Sequence, residues 1–123
     1  MVWKFDEKSP IYLQIADRIK LQIISQELVA GDQLPTVREL AELAGVNPNT
    51  MQRAFAHLEQ DGMVFSNRTA GRYVTENQDL IARERHRVAE AELDAFVSKM
   101  GKIGFSKHEI ITELESYLKG ERE

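Results

Sequence analysis

The chain has 123 residues, 42% of them apolar, which suits one ordinary domain with an appendage and is too little for two compact domains with separate ligand cavities. It contains no cysteine, which removes disulfides, thiolate metal sites and a cysteine nucleophile and fits a reducing compartment. The net charge of -4 weighs against nucleic-acid binding, because phosphate-neutralising domains usually carry a basic excess, so the placement of the charges has to decide. No stretch approaches the roughly 18 uninterrupted apolar residues of a membrane helix, and the opening Met1-Val2-Trp3-Lys4-Phe5 lacks the apolar core of a secretory signal. The expected compartment is the cytoplasm, with no membrane partner.

The first residues are read as an arm, with Trp3 packing on another part of the chain. Ser9-Pro10 reads as an N-cap followed by proline at the first helical position, where a missing N–H costs nothing. Ile11, Ile15, Ile19 and Ile23 recur at helical spacing, with Asp17, Arg18, Lys20 and Gln22 polar, so a helix is predicted from Pro10 to about Gln26. Gly31-Asp32 closes a turn, and Gln33-Leu34-Pro35 is extended. Thr36-Val37-Arg38-Glu39 has the spacing of a capping box that opens a short second helix, and Gly45 stands where a left-handed C-cap is expected. Asn47-Pro48 is again an N-cap plus proline, so a third helix follows within three or four residues, and two short helices joined that tightly form a helix-turn-helix.

On the third helix Met51, Ala54, Phe55 and Leu58 share the core face, which leaves Asn49, Thr50, Gln52, Arg53 and His57 mostly outside. Asp61-Gly62 ends it. Met63–Ser66 and Arg72–Thr75 read as two short strands joined by the polar run from Asn67 to Gly71, a hairpin in the position of a wing. From Asn77 the chain turns into a long charged helix, Gln78 to Met100, with Ala89, Leu93, Phe96 and Met100 on one stripe. A loop is expected from Gly101 to Gly104. Ser106-Lys107-His108-Glu109 is a second capping box, opening a helix that aligns Ile110, Ile111, Leu114, Tyr117 and Leu118.

The expected fold is therefore mainly α with a small β-hairpin: a winged helix-turn-helix over residues 1–76, then a two-helix dimerisation tail over 77–123. A recognition helix reads base edges with residues near its N-terminus, and Asn, Gln and Arg are the side chains that pair two-pronged with adenine or guanine. The candidate DNA-facing set is Thr36, Arg38, Asn47, Asn49, Thr50, Gln52, Arg53, Arg68, Gly71 and Arg72. Charge placement answers the net-charge objection: no carboxylate lies between Glu42 and Glu59, or between Asp61 and Glu76, while Arg53, Arg68 and Arg72 fall in those windows. Arg38 either meets a backbone phosphate or pairs with Glu42 one turn on. The run Arg83-Glu84-Arg85-His86-Arg87 reads as a solvated helix face rather than a basic patch. Leu93, Phe96, Met100, Ile111, Leu114 and Leu118 are the candidate dimerisation residues, because two such helices cannot bury their stripes alone; the alternative use of the stripes is an effector pocket. His57, His86 and His108 stand apart without metal-ligand spacing, so no metal, cofactor or catalytic constellation is expected and the chain does not read as an enzyme.

The run from Gly31 through Ala41, continued by Gly45 to Phe55 and by Leu58-Glu59-Gln60-Asp61-Gly62, resembles the GntR family of bacterial regulators. The opening Pro10-Ile11-Tyr12-Leu13-Gln14-Ile15 and the Val46-Asn47-Pro48-Asn49-Thr50 turn are similar to its YtrA subfamily. The resemblance implies a dimeric repressor bound to an inverted-repeat operator on double-stranded DNA, often controlling an operon for an ABC transporter, with Arg38 on DNA. Many members carry arginine where this chain has Pro48 and Gln52, so base readout is expected to lean on Asn47, Asn49, Gln52 and Arg53. The usual Gly-x-Gly of the wing is Thr69-Ala70-Gly71, with only the second glycine kept. The tail is too small for the separate effector domain of larger members, so an effector of unknown identity would sit at the dimer interface or beside the winged domain. The competing reading is a winged protein-interaction module that does not bind DNA, which the acidic balance would suit.

Overall fold

The computed structural model describes residues 3–67 and 71–120. Its elements are α1 (Ile11–Ile24), α2 (Val37–Ala44), α3 (Pro48–Gln60), β1 (Val64–Asn67), β2 (Gly71–Val74), α4 (Gln78–Lys102) and α5 (Lys107–Lys119). They form two compact units, Met1–Arg85 and His86–Glu123, and α4 runs through the boundary as one continuous helix. The fold is mainly α with one antiparallel hairpin, the winged helix-turn-helix that the pattern predicts.

In the first unit, the side chains of Ile15, Ile19 and Ile23 from α1 meet Met51, Ala54, Phe55 and Leu58 from α3, all at most 1% exposed. The helix ends are built locally. Thr36 Oγ1 accepts from the Glu39 amide while the Glu39 carboxylate accepts from the Thr36 amide, and Gly45 closes α2 at φ 77°, a conformation that other residues reach only with strain. Asn47 Oδ1 accepts from the Asn49 amide at 2.7 Å, with Pro48 at the first position of α3.

The start of α1 differs from expectation. Pro10 itself is the N-cap, extended at ψ 142°, and no side chain caps the helix; the Pro10 carbonyl accepts from Leu13 and Gln14. Because the N-cap falls on Pro10, Ser9 lies one residue too early to cap, and the Gln14 side-chain amide donates to the Ser9 and Asp6 carbonyls. The helix stops at Ile24, as Gln26 turns to φ 67°. Upstream, the Trp3 amide donates to the Ala44 carbonyl, and the Arg18 guanidinium lies 4.1 Å over the Trp3 ring, so the arm is stitched to α1 and α2.

The hairpin register pairs Val64 with Val74, Phe65 with Tyr73, Ser66 with Arg72 and Asn67 with Gly71. Period-two alternation puts Val64, Val74, Ser66 and Arg72 on one face; the two valines are buried, while Phe65 and Tyr73 stack on the other face at 5.7 Å. The predicted extended segment before α2 lies along β2: Leu34 donates to the Arg72 carbonyl and Val74 to the Asp32 carbonyl.

Lys20, read from sequence as part of the polar face of α1, is buried at 7% exposure. Its ammonium is 2.8 Å from the Asp61 carboxylate at the end of α3 and 3.4 Å from Glu84 on α4. Burial works against the charge, but the hydrogen bond to Asp61 and the charges of Glu84 and Asp61 outweigh it and raise the Lys20 pKa above its ordinary value. Ile81 is buried too, and Arg85 Nε donates to the Ile24 carbonyl, so the first two turns of α4 pack on the winged unit. The other members of the charged run, Arg83, His86 and Arg87, are exposed, as a solvated face requires.

The second unit holds the rest of α4 and α5. Ser106 and Glu109 complete the predicted capping box, and Gly120 ends α5 at φ 76°. The expected loop from Gly101 is shorter than predicted: α4 continues through Gly101 and Lys102, and the left-handed turn falls at Gly104, φ 100°, where the Phe105 amide closes on the Met100 carbonyl. Among the described residues of this unit, Ile110 is the one buried apolar side chain. No described helix is long and apolar enough to cross a membrane.

Candidate nucleic-acid interface

Three segments distant in sequence converge on one open groove of about 610 Å³. The N-terminal end of α2 contributes Thr36, Val37 and Arg38, the middle of α3 contributes Gln52, and the start of β2 contributes Gly71 and Arg72, with Gln33 completing the wall. Five residues of the predicted set, Thr36, Arg38, Gln52, Gly71 and Arg72, are thus brought together. Arg38 is exposed and makes no ion pair with Glu42 among the described residues, which leaves its charge available to an anion. The first residues of α2 line the same groove, so the positive end of the helix dipole lies beside it, with the Thr36 and Glu39 amides taken by the capping box. Gly71 sits at φ +93°, a backbone form that favours glycine, and the Gln33 side-chain amide stands at ordinary contact distance beside it.

At the N-terminal end of α3, Asn47 and Asn49 are exposed and Thr50 is half-buried. The Asn47 side chain is committed to the cap, whereas Asn49 and Gln52 share one exposed face one turn apart. Arg53 is exposed but lies off the groove. Its guanidinium stacks 4.1 Å over the Tyr12 ring, in a shallow concavity of about 200 Å³ with Ala56, His57 and Gln60. His57 packs edge-on against Tyr12 and stands 3.6 Å from the Asp61 carboxylate.

Arg72 is paired rather than free. Its Nε donates to Glu59 Oε1 at 2.9 Å, and its guanidinium lies 5.1 Å from the Phe55 ring. The expected carboxylate-free zone is therefore corrected in space: Glu59, at the edge of that window in sequence, reaches the wing one helical turn beyond Phe55. Arg68 lies outside the described residues, as do Thr69 and Ala70 of the wing. Sequence reasoning missed Gln33, Tyr12 and Glu59; the first two had no signal beyond position, while Glu59 was visible as the lone acid at the end of an otherwise neutral helix face.

No group of three or more His, Cys, Asp or Glu able to hold a metal ion occurs among the described residues. A capped helix pair, an exposed polar helix face and a hairpin beside it, sharing a groove lined by arginines, define a winged helix-turn-helix regulator. Residues 11–74 match the family of bacterial regulatory proteins described as the gntR family. The chain is 35% identical over 117 residues to an uncharacterized HTH-type transcriptional regulator, YhcF of Bacillus subtilis, covering 95% of this chain and 97% of that protein. It is 41% identical over 69 residues to the HTH-type transcriptional repressor YtrA of the same organism, covering 56% of this chain and 53% of YtrA. A solved GntR family transcriptional regulator from Listeria monocytogenes superposes with a TM-score of 0.81 at 38% identity, covering 91% of this chain and 98% of that one. The chain belongs to the GntR family, and the match to YtrA supports the YtrA subfamily. Its relatives are transcription regulators and not enzymes.

Proposed function

We propose that this chain is a cytoplasmic repressor that binds an inverted-repeat operator on double-stranded DNA as a homodimer. The observation that carries the reading is the groove into which α2, α3 and β2 bring Thr36, Arg38, Gln52 and Gly71. In this reading Arg38 and the N-terminal amides of α2 hold a backbone phosphate, and Asn49 and Gln52 read base edges from α3. Thr50 and Asn47 orient the helix end, and Arg53 leaves or extends from the Tyr12 ring to join the contact. Arg68 would add charge at the wing. The name of YtrA as a repressor favours repression over activation.

Dimerisation is supported by the second unit. Leu93, Phe96, Ile111, Leu114 and Leu118 are all exposed, Leu118 by 73%, and Met100 is half-buried. Two amphipathic helices with so little of their own core need a covering surface, and a second copy of the same stripes supplies one of matching chemistry. A dimer also matches the two-fold symmetry of an inverted repeat.

The test is selection of bound sequences from a random DNA pool, followed by fluorescence anisotropy of the enriched sites across a salt series. The expected result is an inverted repeat with half-sites about one helical turn apart and affinity that falls steeply with salt. Absence of enrichment from a folded, dimeric preparation overturns the DNA reading in favour of a protein-interaction module.

A further inference from the structure

We propose that Glu59 is a positioning residue that clamps the wing to the recognition helix, and that Arg72 serves this clamp rather than a DNA phosphate. The inference rests on the DNA-binding reading above and deepens it. One carboxylate holds both strands: Glu59 Oε1 accepts from Arg72 Nε on β2 at 2.9 Å, and Glu59 Oε2 accepts from the Ser66 hydroxyl on β1. Ser66 and Arg72 are cross-strand partners on the α3-facing side of the hairpin, so the two bonds meet at one rung of the ladder.

The rest of the site keeps this arrangement in place. The Arg72 guanidinium lies 5.1 Å from the ring of fully buried Phe55, so the side chain is supported by the aromatic on one side and the carboxylate on the other. Burial works against the Glu59 charge, but the Ser66 hydroxyl and Arg72 hold its carboxyl below the ordinary value, and it is ionised at neutral pH. The carboxylate 2.9 Å from Nε offsets much of the charge that Arg72 presents to a second anion and fixes the direction of its guanidinium. The base of the hairpin is held by buried Val64 and Val74 and by the segment around Leu34 along β2, and the Glu59 bonds tie the rung beyond it to α3. The same groove holds Arg38 without an ion pair among the described residues, and the two arginines therefore divide the work: Arg38 meets DNA, and Arg72 sets the wing.

The test compares full-length wild type, Glu59→Gln, Arg72→Gln, the double variant and the charge-swapped pair E59R/R72E. In the free proteins, amide exchange of the hairpin is expected to quicken in both single variants while the helices and the thermal midpoint stay close to wild type. Unchanged hairpin exchange overturns the clamp, whether or not DNA is bound. On an enriched operator, each single variant is expected to lose about two- to fivefold in affinity, the double variant no more than either, and the swapped pair to recover part of the loss. The slope of affinity against salt is expected to stay the same in Arg72→Gln. A slope reduced by about one, with Glu59→Gln binding more tightly than wild type, would make Arg72 a phosphate contact and overturn the proposal. If wild type itself binds no DNA, the DNA reading fails, and the exchange experiment still decides the clamp.

Discussion

In Met1–Arg85 Ile15, Ile19 and Ile23 of α1 and the Met51, Phe55 and Leu58 side chains of α3 are sealed from solvent, while Ile11 at the start of α1 stays 43% exposed, and side-chain caps at Thr36 and Asn47 start α2 and α3. In His86–Glu123 the helices are as well formed and as well capped, yet among their described residues only Ile110 is buried, and Ile103 and Leu118 stand 70% and 73% exposed. The contrast teaches that regular secondary structure and a closed core are separate achievements. Caps and helical periodicity build α5, but they do not bury it. The first unit has a closed core and a polar groove; the second presents an exposed apolar stripe.

The largest expected effect probes the sealed side of this contrast. Phe55→Ala removes a fully buried ring between α3 and the wing and is expected to cost about 3–5 kcal/mol, read from the urea midpoint of the first unit's unfolding. The same measurement on Leu118→Ala should show almost no intrinsic loss at concentrations where the chain is monomeric, since that side chain has little to lose. A large loss in the monomer would show that the second unit closes on itself.

Leu114→Asp attacks the open side. A charge at the centre of the apolar stripe is expected to weaken self-association by at least about tenfold in sedimentation equilibrium, with the circular dichroism of the helices retained. Unchanged association would remove the α5 stripe from the dimer contact.

The intermediate effect lies where α4 leaves the winged unit. Lys20→Ala leaves the Asp61 and Glu84 carboxylates facing each other without their cation, and a loss of about 1–3 kcal/mol is expected. Asp61 is partly exposed, which keeps the value below that of a fully buried pair. A neutral outcome would mean that the first turns of α4 are held by Ile81 and its neighbours alone.

The smallest effect is that of acid. Glu39 and Glu109, each held below 4.5 first by the backbone amide of its cap residue, and Glu59, stabilised by Ser66 and Arg72 against its burial, are all more acidic folded than unfolded. Their contribution is present above the unfolded value and lost as pH falls through the lowered folded values. The thermal midpoint should therefore hold from neutral pH to near 4.5 and decline below it. In Glu59→Gln, the acid decline of the first unit should be shallower than in wild type.

Much of the first unit was legible in the sequence because its signals are local. The box at Thr36 and Glu39, the left-handed Gly45, the Asn47-Pro48 start of α3 and the spacing of Met51, Ala54, Phe55 and Leu58 each act within a few residues, and each appears in the structure where the pattern put it. Ser9 and the Gly101 boundary differ from the pattern: the N-cap falls on Pro10 rather than Ser9, and α4 runs to Lys102, with the left-handed turn at Gly104 instead of Gly101.

What sequence alone determined here was the order of helices and strands, their ends, and the identity of the polar residues gathered near α2, α3 and the wing. Tertiary structure decided which of those residues are free. Lys20 looked solvated and is buried because α3 and α4 bring two carboxylates to it. Arg53 and Arg72 looked alike as cations on a DNA-facing surface, yet one rests on Tyr12 and the other is held by Glu59. The physical reason is range: caps and periodicity are written within one or two turns, whereas the availability of a charge depends on what the fold sets beside it.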